Sequence, residues 1–168
     1  MTKKEIIELI IEESANSDVD TEFLLTMANI ESGFNPNAKN PSGAAGLYQF
    51  MPSTAKAYGL RNPYNPTDAI RAVIKLTKAN ATALQRAGLE PSGANLYLAH
   101  QQGAGGVIIL YSSILKGRPL SRIIRRNIDA NGGKGLSAKE FVDKWKTKYL
   151  NKVIEVRELL AELDIFLA

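Results

Sequence analysis

Glu31 is the residue of this 168-residue sequence best placed to do chemistry. It follows Leu24 by seven positions and Met27 by four, so it closes the apolar stripe of a predicted helix that Gly33 and Pro36 stop just beyond it. A carboxyl there can reach a cleft floored by core side chains. Partial burial favours the uncharged carboxyl, and the negative end of the helix dipole acts in the same sense. Such a group holds a proton near neutral pH and can serve as a general acid. A helix-end glutamate paired with a lysine or arginine would give the same spacing, so on spacing alone the catalytic and structural readings stand level.

Partners for Glu31 are scarce. No Asp or Glu occurs from Ser32 to Thr67, and between Asp68 and Asp129 there is only Glu90. A glycosidase working with two carboxylates would need its second from this stretch or from a chain end. The chain has no cysteine and one histidine, His100, which excludes disulfides, thiolate metal sites and histidine clusters. A metal could be held only by carboxylates.

The flanking residues tilt the balance toward catalysis. Glu31-Ser32-Gly33-Phe34-Asn35-Pro36 is followed by Gly43-Ala44-Ala45-Gly46-Leu47-Tyr48-Gln49-Phe50-Met51-Pro52-Ser53-Thr54-Ala55. These two linked blocks resemble the signature of soluble lytic transglycosylases, a lysozyme-like family of bacteria and of bacteriophage lysis or tail proteins. Weaker agreement runs through Asn62-Pro63-Tyr64-Asn65-Pro66 to Ala99-His100-Gln101-Gln102-Gly103-Ala104-Gly105. The resemblance covers residues 20 to 110 and leaves the first helix and the basic part at 116–168 outside it.

The resemblance implies a chemistry. Glu31 matches the family's catalytic glutamate, which protonates the glycosidic oxygen between N-acetylmuramic acid and N-acetylglucosamine. The resulting carboxylate then takes the proton of the muramoyl 6-hydroxyl as a 1,6-anhydro ring closes. The substrate's own N-acetyl group stabilises the oxocarbenium-like transition state, so no second carboxylate is needed, a recognised exception to the two-carboxylate scheme. Gln49 and Met51 match positions lining the family's sugar subsites, and Tyr48 and Gln101 lie in the same matching segments. No metal and no organic cofactor is implied.

Two departures stand out. His100 replaces the tyrosine of the family's Ala-Tyr-Asn-Ala-Gly segment; its imidazole can hydrogen-bond a carboxyl or an acetamido group but can also titrate. Tyr97, one turn earlier, is a candidate for the missing phenol. Asn40 stands where many relatives carry a substrate-contacting serine, and it can both donate and accept there. Tyr48, Tyr58 and Tyr64 are weighed as sugar-stacking platforms against the more common role of aromatics as core.

Helices must position these residues. Thr2 with Glu5 opens one that runs to about Ala15, and Asp20 caps the helix that carries Glu31. Residues 32 to 51 read as an ordered loop or small hairpin, and Pro52 starts a short helix ending near Gly59. Further helices are predicted from Thr67 to about Ala87, Pro91 to Gln101, and Val107 to Leu115, with the glycines at 103, 105 and 106 as a tight connection that lacks the Lys and Ser/Thr of a phosphate loop. After a break at Asn131-Gly132-Gly133, Ser137 caps a helix whose Phe141, Trp145 and Tyr149 are core. The expected fold is predominantly α and lysozyme-like, with at most a small β-hairpin, as a single domain over 1–168.

A formal charge of +4 and a late concentration of cations suit an anionic partner. Peptidoglycan glycan strands are the expected substrate, with an anionic membrane or wall polymer as a second contact for the basic part. For Ile123, Ile124 and Ile128, interleaved with Arg122, Arg125 and Arg126, packing is preferred over membrane binding. No nucleic-acid motif is present, and a monomer is expected. Glutamates interrupt the apolar run at Ile6 to Ile11, so no signal peptide is read there. The expectation is a phage enzyme, an endolysin or tail-associated protein, made in the host cytoplasm and acting in the periplasm or cell wall, or carried in a virion. A hydrolytic muramidase is the alternative enzyme, and an inactive wall-binding or tail structural module the alternative of another kind.

Overall fold

The computed structural model describes all of residues 1–168. Eight helices account for most of the chain: α1 (Lys3–Ala15), α2 (Thr21–Ser32), α3 (Pro52–Ala57), α4 (Pro66–Arg86), α5 (Gly93–Gln102), α6 (Ala104–Lys116), α7 (Arg122–Ile128) and α8 (Ala138–Glu162). There is no extended strand. Residues 39–50 make two isolated antiparallel bridges, Lys39 with Ala45 and Ala45 with Phe50, in keeping with the expected ordered loop. The protein is therefore predominantly helical, as its periodicity predicts.

The chain gathers into two compact units, one of residues 1–78 with 152–168, the other of residues 79–151. In the first, α1 buries Ile6, Ile7 and Ile10 while α2 buries Phe23, Leu24, Leu25, Met27 and Ala28. Both helices start as their sequences predict: the Thr2 hydroxyl accepts from the Glu5 amide, and the Asp20 carboxylate from the Glu22 amide. A Ser14–Thr21 hydroxyl pair at 2.6 Å fixes the turn between them. Exposed pairs add fine positioning and little stability, each worth under about 1 kcal/mol. Arg157 grips Glu22 with two bonds of 2.8 and 3.0 Å, and Arg71 does the same to Glu13.

In the second unit Phe141, Trp145 and Tyr149 are core as expected, and Tyr97, the candidate for the missing phenol, is buried with them in one aromatic cluster: its ring centroid lies 5.4 Å from that of Trp145 and 6.3 Å from that of Tyr149, and Phe141 is fully buried. Gly93 lets α5 approach this cluster, because a Cβ there would overlap the Tyr149 ring and hydroxyl. The buried Asn95 joins α5 to α6 by accepting from the Tyr111 hydroxyl at 2.6 Å, and it donates to the Glu90 carbonyl at 2.8 Å.

Two expectations need correction here. Helix α6 starts at Ala104, three residues before the predicted Val107, so Gly105 and Gly106 are helical and only Gly103 makes the connection. Gly106 is buried at a close approach, with Gln102 and Ile124 in reach of any added Cβ, which explains a glycine inside a helix despite its propensity cost. Secondly, the Arg/Ile-rich segment forms a helix of its own, α7. Ile124 and Ile128 are buried as packing predicts, whereas Ile123 is exposed.

Candidate functional site

Helix α2 delivers Glu31 as its penultimate residue, half-buried, and the local sequence dictates how the helix ends there. Gly33 takes a left-handed conformation (φ 59°), and its amide returns to the Ala28 and Asn29 carbonyls. Phe34 follows with φ 65°, its ring buried. Ser32, half-buried, donates to the Leu47 carbonyl at 2.7 Å, with the Ala28 carbonyl 3.1 Å away. That bond ties the helix end to the 43–50 loop and so fixes Glu31 relative to the second motif block. Composition gave no hint of the Ser32 role; its adjacency to Glu31 within the motif was the available signal.

The 43–50 loop is built around two residues. Gly46 has φ 81°, and a Cβ there would collide with the Pro63 carbonyl, so the Gly43–Phe50 block and the Asn62–Pro66 block meet backbone to backbone. Gln49 is a non-glycine residue at φ 50°. Its side-chain amide donates to the Gly46 carbonyl at 2.9 Å and the Ala38 carbonyl at 3.2 Å, clamping the turn that its own backbone strains. Backbone bonds between Ala45 and Phe50, both 3.1 Å, close the base of that turn.

The other expected residues fall in different places. Met51 is exposed at the start of α3. Asn40 is exposed, and its carbonyl oxygen accepts from the Ser42 amide and the Ser42 hydroxyl, so part of its capacity goes into its own turn. Tyr48 is a correction: it is 0% exposed and its hydroxyl donates to the Leu24 carbonyl at 3.1 Å. It is a core residue linking the loop to α2, not a sugar platform. Burial pushes its phenol pKa far up, so it stays neutral. Tyr58 and Tyr64 are half-buried.

Beside the loop, Gly43, Ala45, Phe50, Pro52, Lys56 and Arg61 line part of an open cavity of about 480 Å³. Tyr97, His100 and Gln101 lie on α5, in the second unit; Tyr97 is buried in the aromatic cluster, and His100 and Gln101 are half-buried. No group of three His, Asp or Glu side chains comes together to hold a metal ion.

Comparison with known proteins adds the following. Residues 8–107 match the family described as the transglycosylase SLT domain. A transglycosylase of Enterobacteria phage PRD1 is 37% identical over 67 residues, which cover 40% of this chain and 25% of that protein. The membrane-bound lytic murein transglycosylase D of Escherichia coli (strain K12) is 40% identical over 63 residues, 38% of this chain and 14% of that protein. The membrane-bound lytic murein transglycosylase F of Aliivibrio fischeri is 39% identical over 54 residues, 32% of this chain and 11% of that protein. The matched stretch is thus a quarter or less of each of these relatives.

Proposed function

The chain belongs to the transglycosylase SLT family, and from that premise we propose that it is a lytic transglycosylase of peptidoglycan, cleaving the N-acetylmuramic acid–N-acetylglucosamine bond with Glu31 as its single acid and base. The observation that carries the reading is the seating of Glu31. It is a half-buried carboxyl at the end of α2, locked by the Gly33 cap and the Ser32–Leu47 bond to a loop that a strained Gln49 and a close-packed Gly46 hold in shape. Rigid placement of one proton donor is what a single-residue mechanism needs.

In the forward step the Glu31 carboxyl gives its proton to the glycosidic oxygen as the C1–O bond breaks. The step requires the carboxyl to start protonated and within reach of that oxygen. The substrate's acetamido oxygen supports the positive charge growing at C1. Carboxylate Glu31 then removes the proton of the 6-hydroxyl while its oxygen bonds to C1, which restores the acid and leaves a 1,6-anhydro end. Gln49 and Met51 are assigned to the sugar subsites with Asn40 at their margin.

Mass spectrometry of purified peptidoglycan digested by the wild type and by Glu31→Gln tests this. Anhydro ends are expected, and the variant should lose about a thousandfold in rate. Reducing ends alone would make the protein a muramidase that uses water. Undiminished cleavage by Glu31→Gln would remove Glu31 from the chemistry, and no cleavage by either protein would favour a wall-binding or tail structural module.

A further inference from the structure

The tip formed by the end of α6, the 117–121 link and the start of α7 exposes two large aliphatic side chains, Leu115 at 74% and Ile123 at 69%. Gly117, at φ 64°, turns the chain there, so both residues flank one five-residue link. Lys116, Arg118, Arg122 and Arg126 each lie within three positions of one of them along the chain, all exposed, and none takes part in an ion pair of the protein. Arg125, by contrast, is held by Asp129. Residues 91–128 contain no Asp or Glu, so nothing in the segment opposes this charge. Leu120, with Arg122, Arg125 and Arg126, lines an open hollow of about 500 Å³ beside them.

We propose that this tip is a docking surface for an anionic lipid bilayer. Cations alone would suit any polyanion. Leu115 and Ile123 decide between the two, because a polyanion leaves them in water whereas the headgroup–acyl boundary buries them while the arginines meet lipid phosphates. No helix is long and apolar enough to cross a membrane, so the contact is interfacial. The surface lies wholly within residues 115–126 and involves none of the residues assigned to glycan cleavage; lipid binding is therefore measured without glycan and stands or falls separately.

The test is sedimentation of the full chain with vesicles of mixed phosphatidylglycerol and phosphatidylcholine, beside vesicles of phosphatidylcholine alone. The wild type should bind the mixed vesicles and not the neutral ones. Each cation near an anionic surface is worth about fivefold in partitioning, so Arg118→Gln/Arg122→Gln/Arg126→Gln should weaken binding about a hundredfold. Leu115→Ser/Ile123→Ser should weaken it tenfold or more, by roughly the transfer of two aliphatic side chains out of water. A charge-matched control, Lys4→Gln/Lys75→Gln/Arg86→Gln, should bind close to the wild type. All the substituted side chains are exposed, so thermal melting should be unchanged in every variant. Three outcomes overturn the proposal: no binding to mixed vesicles, a control that loses as much as the arginine triple, or an aliphatic pair that loses nothing. In the last case, binding to isolated wall polymer that the arginine triple abolishes would identify a polyanion face instead.

Discussion

Two glycines in the motif show how differently one residue type can be required. Gly33 needs only a left-handed backbone, since a Cβ there meets nothing within 4 Å. Gly33→Ala should therefore cost about 1–2 kcal/mol, the price of a side chain in that region. Gly46 needs the same kind of backbone and has no room besides, because the Pro63 carbonyl occupies the place of its Cβ. Backbone cannot swing aside as a side chain tip can, so Gly46→Ala should cost about 4 kcal/mol or more. Urea unfolding of the two variants checks the ranking, and equal losses would mean that the 43–50 and 62–66 backbones can part. Tyr48 offers the complementary case. Tyr48→Phe removes one buried hydrogen bond to Leu24 and should lower stability by about 1 kcal/mol. Cleavage kinetics at a temperature where both proteins are folded should be unaltered; a rise in KM would restore Tyr48 to the sugar site.

Among the elements, the turn between α7 and α8 depends most on one side chain. Arg125 donates to the Asp129 carboxylate at 2.8 and 3.0 Å, to the Gly133 carbonyl at 2.7 Å and to the Leu136 carbonyl at 2.7 Å. The segment is a short π-helical turn, Asp129–Gly133, that departs from helical geometry at Asn131 and Gly132, and these bonds hold its carbonyls from outside. Arg125→Ala should cost about 2 kcal/mol, discounted for a side chain about one-third exposed, and Arg125→Lys should recover little because an ammonium cannot serve three acceptors in a fork. Amide exchange at Gly133 to Ser137 is the direct readout; unchanged protection in Arg125→Ala would show that Lys144 and Trp145, which donate to the Gly132 and Asn131 carbonyls, suffice. This turn also marks where the sequence was hard to read. Caps at Thr2, Asp20 and Ser137 were legible because capping is local chemistry between residues two or three apart. The start of α6 was not, because Gly105 and Gly106 look like breakers unless the close approach of Ile124 is known. Tyr48 was misjudged for the same reason: its neighbour Leu24 lies 24 positions away. Motif spacing located Glu31, but the clamp roles of Ser32 and Gln49 depend on carbonyls that only the folded loop brings near.

At the scale of the whole molecule, charge balance predicts where stability fails. The chain has 21 Lys and Arg against 17 Asp and Glu, so protonating its carboxylates leaves the cations unopposed and the folded state repels itself. Specific carboxylates sharpen the response. Glu155 is held below the ordinary glutamate value of 4.5 first by the hydrogen bond from Lys152 and then by that from Asn29. Glu140 is held below it by the Ser137 amide and hydroxyl, which complete a reciprocal cap at the start of α8. A carboxyl whose folded pKa lies below its unfolded one contributes stability that is fully present above the unfolded value and is lost as pH falls through the folded one. The melting temperature should therefore change little for these groups above about pH 5.5 and fall steadily below about pH 4.5. Calorimetry from neutral to acid pH checks the sign. Glu155→Gln and Glu140→Gln should each lower the neutral plateau slightly and flatten the acid limb, since the removed group no longer takes up a proton on unfolding. A melting temperature that rose on acidification would mean that repulsion among the cations is outweighed and that neither carboxylate gains from its partners in the folded chain.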